Sequence, residues 1–202
     1  MILTQLLHKK LNLGVDIVSL TCNRTKTNSK MNFKIDRSKA INSMLYIIES
    51  LSERGISADI HKLMKLMYFA DKDHLINYGF PITGDTYIKL PYGPVPSFSN
   101  FVLKNENDDF KDIFSRSGYV ISSNQKADLD DLSESEIESL NSSIENYAKF
   151  SFDELTKISH SFAYETSDWN ISYEKIAEEG GVDKDMKAFI KEQILNDNIS
   201  FC

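Results

Sequence analysis

Apolar positions recur at three- and four-residue intervals from residue 36 onward. Ile41, Met44, Leu45, Ile48 and Leu51 fall on one face of a helix. Asp36 is placed to cap its start, and Gly55 stands where a left-handed residue closes such a helix. Ser57 is expected to cap a second helix, with Ile60, Leu63, Met64, Met67, Tyr68, Leu75 and Ile76 facing inward. The short loop between the two favours an antiparallel pair. The second helix stops at Tyr78-Gly79, because Pro81 biases Phe80 toward extended backbone.

The period then changes. Residues 82–85 read as a turn, with Gly84 available for a positive φ. Residues 86–90 are β-branched and aromatic, a strand with Tyr87 on one face and Thr86, Ile88 and Leu90 on the other. Pro94 and Pro96 are expected to break it, Pro96 opening a short helix through Phe98, Phe101 and Val102. Residues 110–114 and 119–122, joined across Ser117-Gly118, are expected to complete a small antiparallel sheet with the Tyr87 strand.

Helical periodicity returns in the second half, after an acidic linker over residues 124–132. Ser133 and Ser151 each precede a glutamate by three residues, the spacing of a capping box, and apolar stripes follow both. A short helix is expected over 173–177, and Gly180-Gly181 separates it from a last helix over 183–195. The fold class is therefore α+β and predominantly α-helical: a helical bundle with a small antiparallel β-sheet inserted between the N- and C-terminal helices. Composition changes at Met31, so residues 1–30 are expected to be a dispensable extension, non-native or weakly ordered, and 31–202 a single domain.

Charge narrows the function. The formal net charge is −7, and the 202-residue chain suits one domain. Residues 1–30 carry five Lys/Arg and one Asp, hence +4, which leaves −11 on the remainder. An acidic body argues against direct nucleic-acid binding, which needs a basic face to displace counterions. It suits a basic protein partner. No run approaches a membrane span. Cys22 and Cys202 lie near opposite ends without metal spacing, in keeping with a reducing cytoplasm.

Candidates for chemistry concentrate between residues 60 and 96. Asp71 and His74, three apart, are expected to share a helical face and could form an acid–base pair or a metal edge. His61 returns to nearly the azimuth of His74, but at about 1.5 Å per residue it stands some ~19.5 Å away, too far for one metal. No metal site and no cofactor is expected. Ser159-His160-Ser161 sets hydroxyls beside an imidazole, but sequence adjacency does not aim one at the other. Neither GxSxG, a P-loop nor GxGxxG is present. Met64, Met67, Tyr68 and Phe69 form a packing stripe first and an adaptable contact surface second. Tyr87, Tyr92, Tyr119 and Phe80 either cover the sheet's own core or form an exposed patch for a partner.

One string is specific as a whole. Leu63-x-Lys65-Leu66-x-Tyr68-Phe69-Ala70-Asp71, then His74, Gly79-x-Pro81-Ile82-Thr83-Gly84-Asp85-x-Tyr87 and Tyr92-Gly93-Pro94-Val95-Pro96 resembles the Panacea domain, the SocA-like antitoxin domain of bacteria, phages and mobile elements. The resemblance is strongest over residues 39–105 and extends more weakly to His160 and Trp169. It implies a non-enzymatic cytoplasmic antitoxin that neutralises a cognate toxin by direct contact. Tyr68, Asp71, His74, Asp85, Tyr87, Tyr92 and Pro94 are the candidate partner-binding residues. A proteolytic adaptor delivering its partner to an ATP-dependent protease is the alternative, and an enzyme using Asp71, His74 and Asp85 the third. Homodimer formation stays open.

Overall fold

The computed structural model describes residues 32–104 and 110–198. Eight helices and five short strands follow in the order α1 (Arg37–Glu53), α2 (Ile60–Tyr78), β1 (Tyr87–Leu90), β2 (Gly93–Pro96), α3 (Ser97–Lys104), β3 (Phe114–Ser117), β4 (Val120–Ser123), α4 (Glu134–Tyr147), α5 (Phe152–Ser159), α6 (Phe162–Glu165), β5 (Asn170–Ile171), α7 (Tyr173–Glu179) and α8 (Lys184–Asn198). The fold is predominantly α-helical α+β, as the pattern predicts.

α2 is the axis of the molecule. Residues 63–71 are buried without interruption, two and a half turns that leave no face in water. A helix enclosed on all sides needs neighbours all round, and α1, α3, α4, α5, α7 and β2 supply them. Leu63, Met64, Leu66, Met67 and Ala70 enter one cluster with Met44, Ile48 and Leu51 of α1 and Leu140 and Ile144 of α4. Tyr68, Phe69 and Leu75 enter a second with Tyr87, Leu155, Tyr173, Ile176, Ile190 and Ile194. α2 thus divides two cores while belonging to both.

Local capping follows the sequence closely. Asp36 accepts from the Lys39 amide, and Ser133 and Ser151 both close capping boxes. Gly79 ends α2 with φ +85°, and Gly84 turns with φ +65°. The cap of α2 is Asp59, however, not Ser57. Residues beside Ser57 are taken up by pairing, since Ile121 donates to the Ala58 carbonyl at 2.8 Å and Ile60 to that of Tyr119 at 2.9 Å.

The sheets also depart from expectation. β1 pairs with β2 on one side and β5 on the other, all antiparallel. Pro94 and Pro96 do not end the sheet; they sit in edge strand β2, where a missing N–H costs no second ladder. The third strand comes from the C-terminal half, with Tyr87 opposite Ile171. β3 and β4 form their own hairpin, register Ser117 opposite Val120, and dock on the loop before α2 rather than on β1. Residues 1–30 lie outside the described residues, so the expected extension has no structural counterpart here.

Candidate functional site

The turn after α2 folds back so that Thr83 meets Asp71 twelve positions earlier. Thr83 donates to the Asp71 carboxylate through its amide at 3.0 Å and its hydroxyl at 2.7 Å. The period-2 alternation of β1 points Tyr87 inward, and its hydroxyl reaches Asp71 Oδ2 at 2.8 Å. Tyr173, at the start of α7, adds a longer contact to the same oxygen at 3.3 Å and donates to the Asp85 carbonyl at 2.8 Å. Four donors therefore converge on one buried carboxylate. Burial nevertheless dominates and lifts its pKa to about 6, with the Thr83 and Tyr87 hydrogen bonds pulling the other way.

Asp85 works one step further along. Its carboxylate accepts from the amides of Phe98 and Ser99, both at 2.9 Å, and from the Ser99 hydroxyl at 3.0 Å. It thereby caps α3 from outside that helix. Burial raises its pKa, against those hydrogen bonds.

His74 faces elsewhere. Its Nδ1 lies 2.7 Å from the Phe80 carbonyl and its Nε2 3.1 Å from the Ser135 hydroxyl, bridging the α2 terminus to α4. Burial lowers its pKa. Asp71 and His74 thus have separate partners, and the acid–base pair that their spacing could allow is not formed. Among the described residues no group of three His, Cys, Asp or Glu could hold a metal. His61 stacks on Phe152 at 4.0 Å, and Ser159 donates to the Thr156 carbonyl at 3.0 Å, not to His160.

Lys65 is the residue the pattern missed. Its side chain is fully buried, with Nζ on the Pro94 carbonyl at 2.8 Å, and burial lowers its pKa to about 7. A lysine inside the run Leu63 to Phe69 was the available signal. Tyr173 gave none, since nothing local ties α7 to Asp71.

Of the seven candidate partner-binding residues, Tyr92 is 60% exposed, at the β1–β2 turn. Tyr68, Asp71, His74, Asp85, Tyr87 and Pro94 are buried. The side chains of Asp71, Asp85 and Tyr87 tie α2, the turn after it, β1, α3 and α7 together, and His74 ties α2 to α4, instead of lining a surface. A cleft of about 640 Å³ opens between α3 and the β3–β4 hairpin, lined by Leu103, Phe110, Phe114 and Arg116 and by none of the seven. Among the described residues no helix is long and apolar enough to cross a membrane.

Such a structure defines a mainly helical domain pinned by a buried carboxylate network. The sequence profile described as the antitoxin SocA-like, Panacea domain matches residues 63–165, 103 of the 202 positions. The chain belongs to that family. No curated protein and no solved structure matches it.

Proposed function

We propose that this chain is the antitoxin of a toxin–antitoxin pair and neutralises a cognate protein toxin by direct contact in the cytoplasm. The observation that carries this reading is the family match over residues 63–165, whose signature residues the fold consumes internally. Asp71 and Asp85 are occupied by backbone and hydroxyl donors, so they support structure and not turnover. The acidic charge of −7 favours encounter with a basic toxin. Residues 31–202 act as one unit, and recognition of nucleic acid is left to the toxin or its target.

Co-expression tests this. The product of a neighbouring reading frame that arrests growth alone is expressed with and without the chain, and the purified pair is passed over a sizing column. Rescue with a stable complex and an unchanged toxin level supports direct neutralisation. Rescue that depends on loss of the toxin itself would replace it with proteolytic delivery, and absence of both rescue and complex would overturn the reading.

A further inference from the structure

Around Gly79, three aromatic side chains remain in water that their sequence neighbours do not cover. Tyr78 is 39% exposed, Phe80 43% and Phe189 39%. Tyr78 and Phe80 both lean on the His74 imidazole, at 4.7 and 5.4 Å between ring centres. Phe189 of α8 lies over Gly79 so closely that a Cβ there would stand 2.4 Å from its ring, with Met186 beside it. Gly79 also needs its left-handed backbone, φ +85°, so the close approach and the helix end are set by one residue. The three rings thus lie about one glycine at the C-terminal end of α2, Tyr78 and Phe80 against His74 and Phe189 against Gly79.

The rim of this patch carries one sign of charge. The Tyr78 hydroxyl meets Glu138 at 3.4 Å. Desolvation first, then the negative charges of Glu138, Asp73 and Glu134, hold the Tyr78 phenol above its ordinary pKa. On α8, Asp185 and Glu192 lie four residues before and three after Phe189, on its side of the helix, and both are exposed. Lys184, Lys187 and Lys191 lie about 140–160° round the helix from Phe189, at 100° per residue. Lys187 and Lys191 line a separate small cleft with Glu174 and Glu178 of α7. The nearby cations of α1 and α2 are spent, Lys39 on Glu136 and Lys72 on Glu179.

We infer that this face, with Tyr78, Phe80 and Phe189 at its centre and Glu134, Glu138, Asp185 and Glu192 at its rim, docks a basic segment of a protein partner. An arginine suits it best: a planar guanidinium lies over a phenyl or phenol ring while its N–H groups reach a carboxylate. Met186 supplies an adaptable edge for an apolar neighbour of that arginine. The other exposed aromatic pair, Tyr92 on Phe152 at 5.1 Å, lacks this complement. Phe152 is flanked in sequence by Lys149, Asp153, Glu154 and Lys157, two charges of each sign, and it is already against His61. The partner's identity as the toxin rests on the antitoxin reading; the chemistry of the face does not.

Two arms separate these. In the first, the ¹⁵N-labelled full chain is titrated with N-acetyl-arginine amide, with N-acetyl-norleucine amide as the neutral control. Saturable shifts at Tyr78, Phe80, Glu138 and Phe189 with the arginine compound alone, weakened ~10-fold by Phe80→Ala with Glu138→Gln, are expected. Shifts centred on Tyr92 and Phe152, or insensitivity to the double variant, would overturn the proposal. So would prior occupation of the face, seen as movement of the same amides on dilution (a second copy) or on deletion of residues 1–30, whose charge is +4. In the second arm, the rescued toxin is titrated against the wild type, the double variant and Tyr92→Ala. Loss of at least ~10-fold in the double variant alone supports docking here. Equal binding by all three sinks the surface and leaves the antitoxin reading intact. No binding by the wild type sinks that reading, while the arginine titration still decides the face.

Discussion

Asp71 and Tyr78 stand two turns apart on α2 and serve opposite purposes. Asp71 is 1% exposed and takes hydrogen bonds from Thr83, Tyr87 and Tyr173. Tyr78 has its ring partly in water, leaning on His74, and its hydroxyl makes a long hydrogen bond to Glu138. Both are polar and both lie in the stretch that characterises the family. The inner residue joins α2, the turn after it, β1 and α7 around one carboxylate, whereas the outer one presents a ring beside negative charge. Polar residues in a distinctive motif therefore split by burial: a buried one that is fully satisfied specifies the fold, and a half-exposed one is free to meet a partner.

The sharpest way to break that contrast is Asp71→Ala. It strands the Thr83 and Tyr87 hydroxyls and the Thr83 amide in the interior, so urea unfolding should show a loss of ~3–5 kcal/mol. A loss below ~1 kcal/mol would mean that the network does not hold the elements together.

Titration sharpens the same side. The folded pKa of Asp71, about 6, lies above the ordinary carboxylate value, so the native state keeps a proton that the unfolded chain has released. That contribution is fully present below about pH 4 and lost as pH rises through about 6. Lys65 runs the other way, with a folded pKa of about 7 below the ordinary lysine value. The unfolded chain then binds the extra proton, and stability rises with pH between about 7 and 10. Asp71→Asn should remove the share that Asp71 adds between about pH 4 and 6, where the lowered pKa values of His61 and His74 act in the opposite sense. Lys65→Met should remove the share between about pH 7 and 10, each read as the difference from the wild-type unfolding curve across pH. Lys65→Met should itself change stability at pH 7 by no more than ~1–2 kcal/mol, since relief from burying the amine offsets the unpaired Pro94 carbonyl.

On the outer side effects on folding should be small. Phe80→Ala and Tyr92→Ala are each expected to alter unfolding free energy by less than ~1 kcal/mol. A loss as large as that of Asp71→Ala would erase the distinction between the two ends of the helix.

Much of this fold was legible in advance because helix ends are decided by groups three or four residues apart. Asp36, Ser133, Ser151 and the Tyr78-Gly79-x-Pro81 stop behave as their local chemistry requires. The site was less legible. Asp71 and His74 were recognised as chemically able, but spacing along a helix says which side they share and nothing about what awaits them there. Thr83 meets Asp71 only because the chain folds back after Gly79, and Tyr173 arrives from 102 residues away.

By itself, then, the sequence determined the longer helices, the caps at Asp36, Ser133 and Ser151, the acidic balance and the family. Only the tertiary structure decided that β5 joins β1, that the β3–β4 hairpin stands apart, that Lys65 lies in the core, and that Phe189 of α8 lies over Gly79. The physical reason is range. Capping and periodicity are satisfied within a turn or two, while strand partners and buried charges are chosen by packing among segments far apart in the chain.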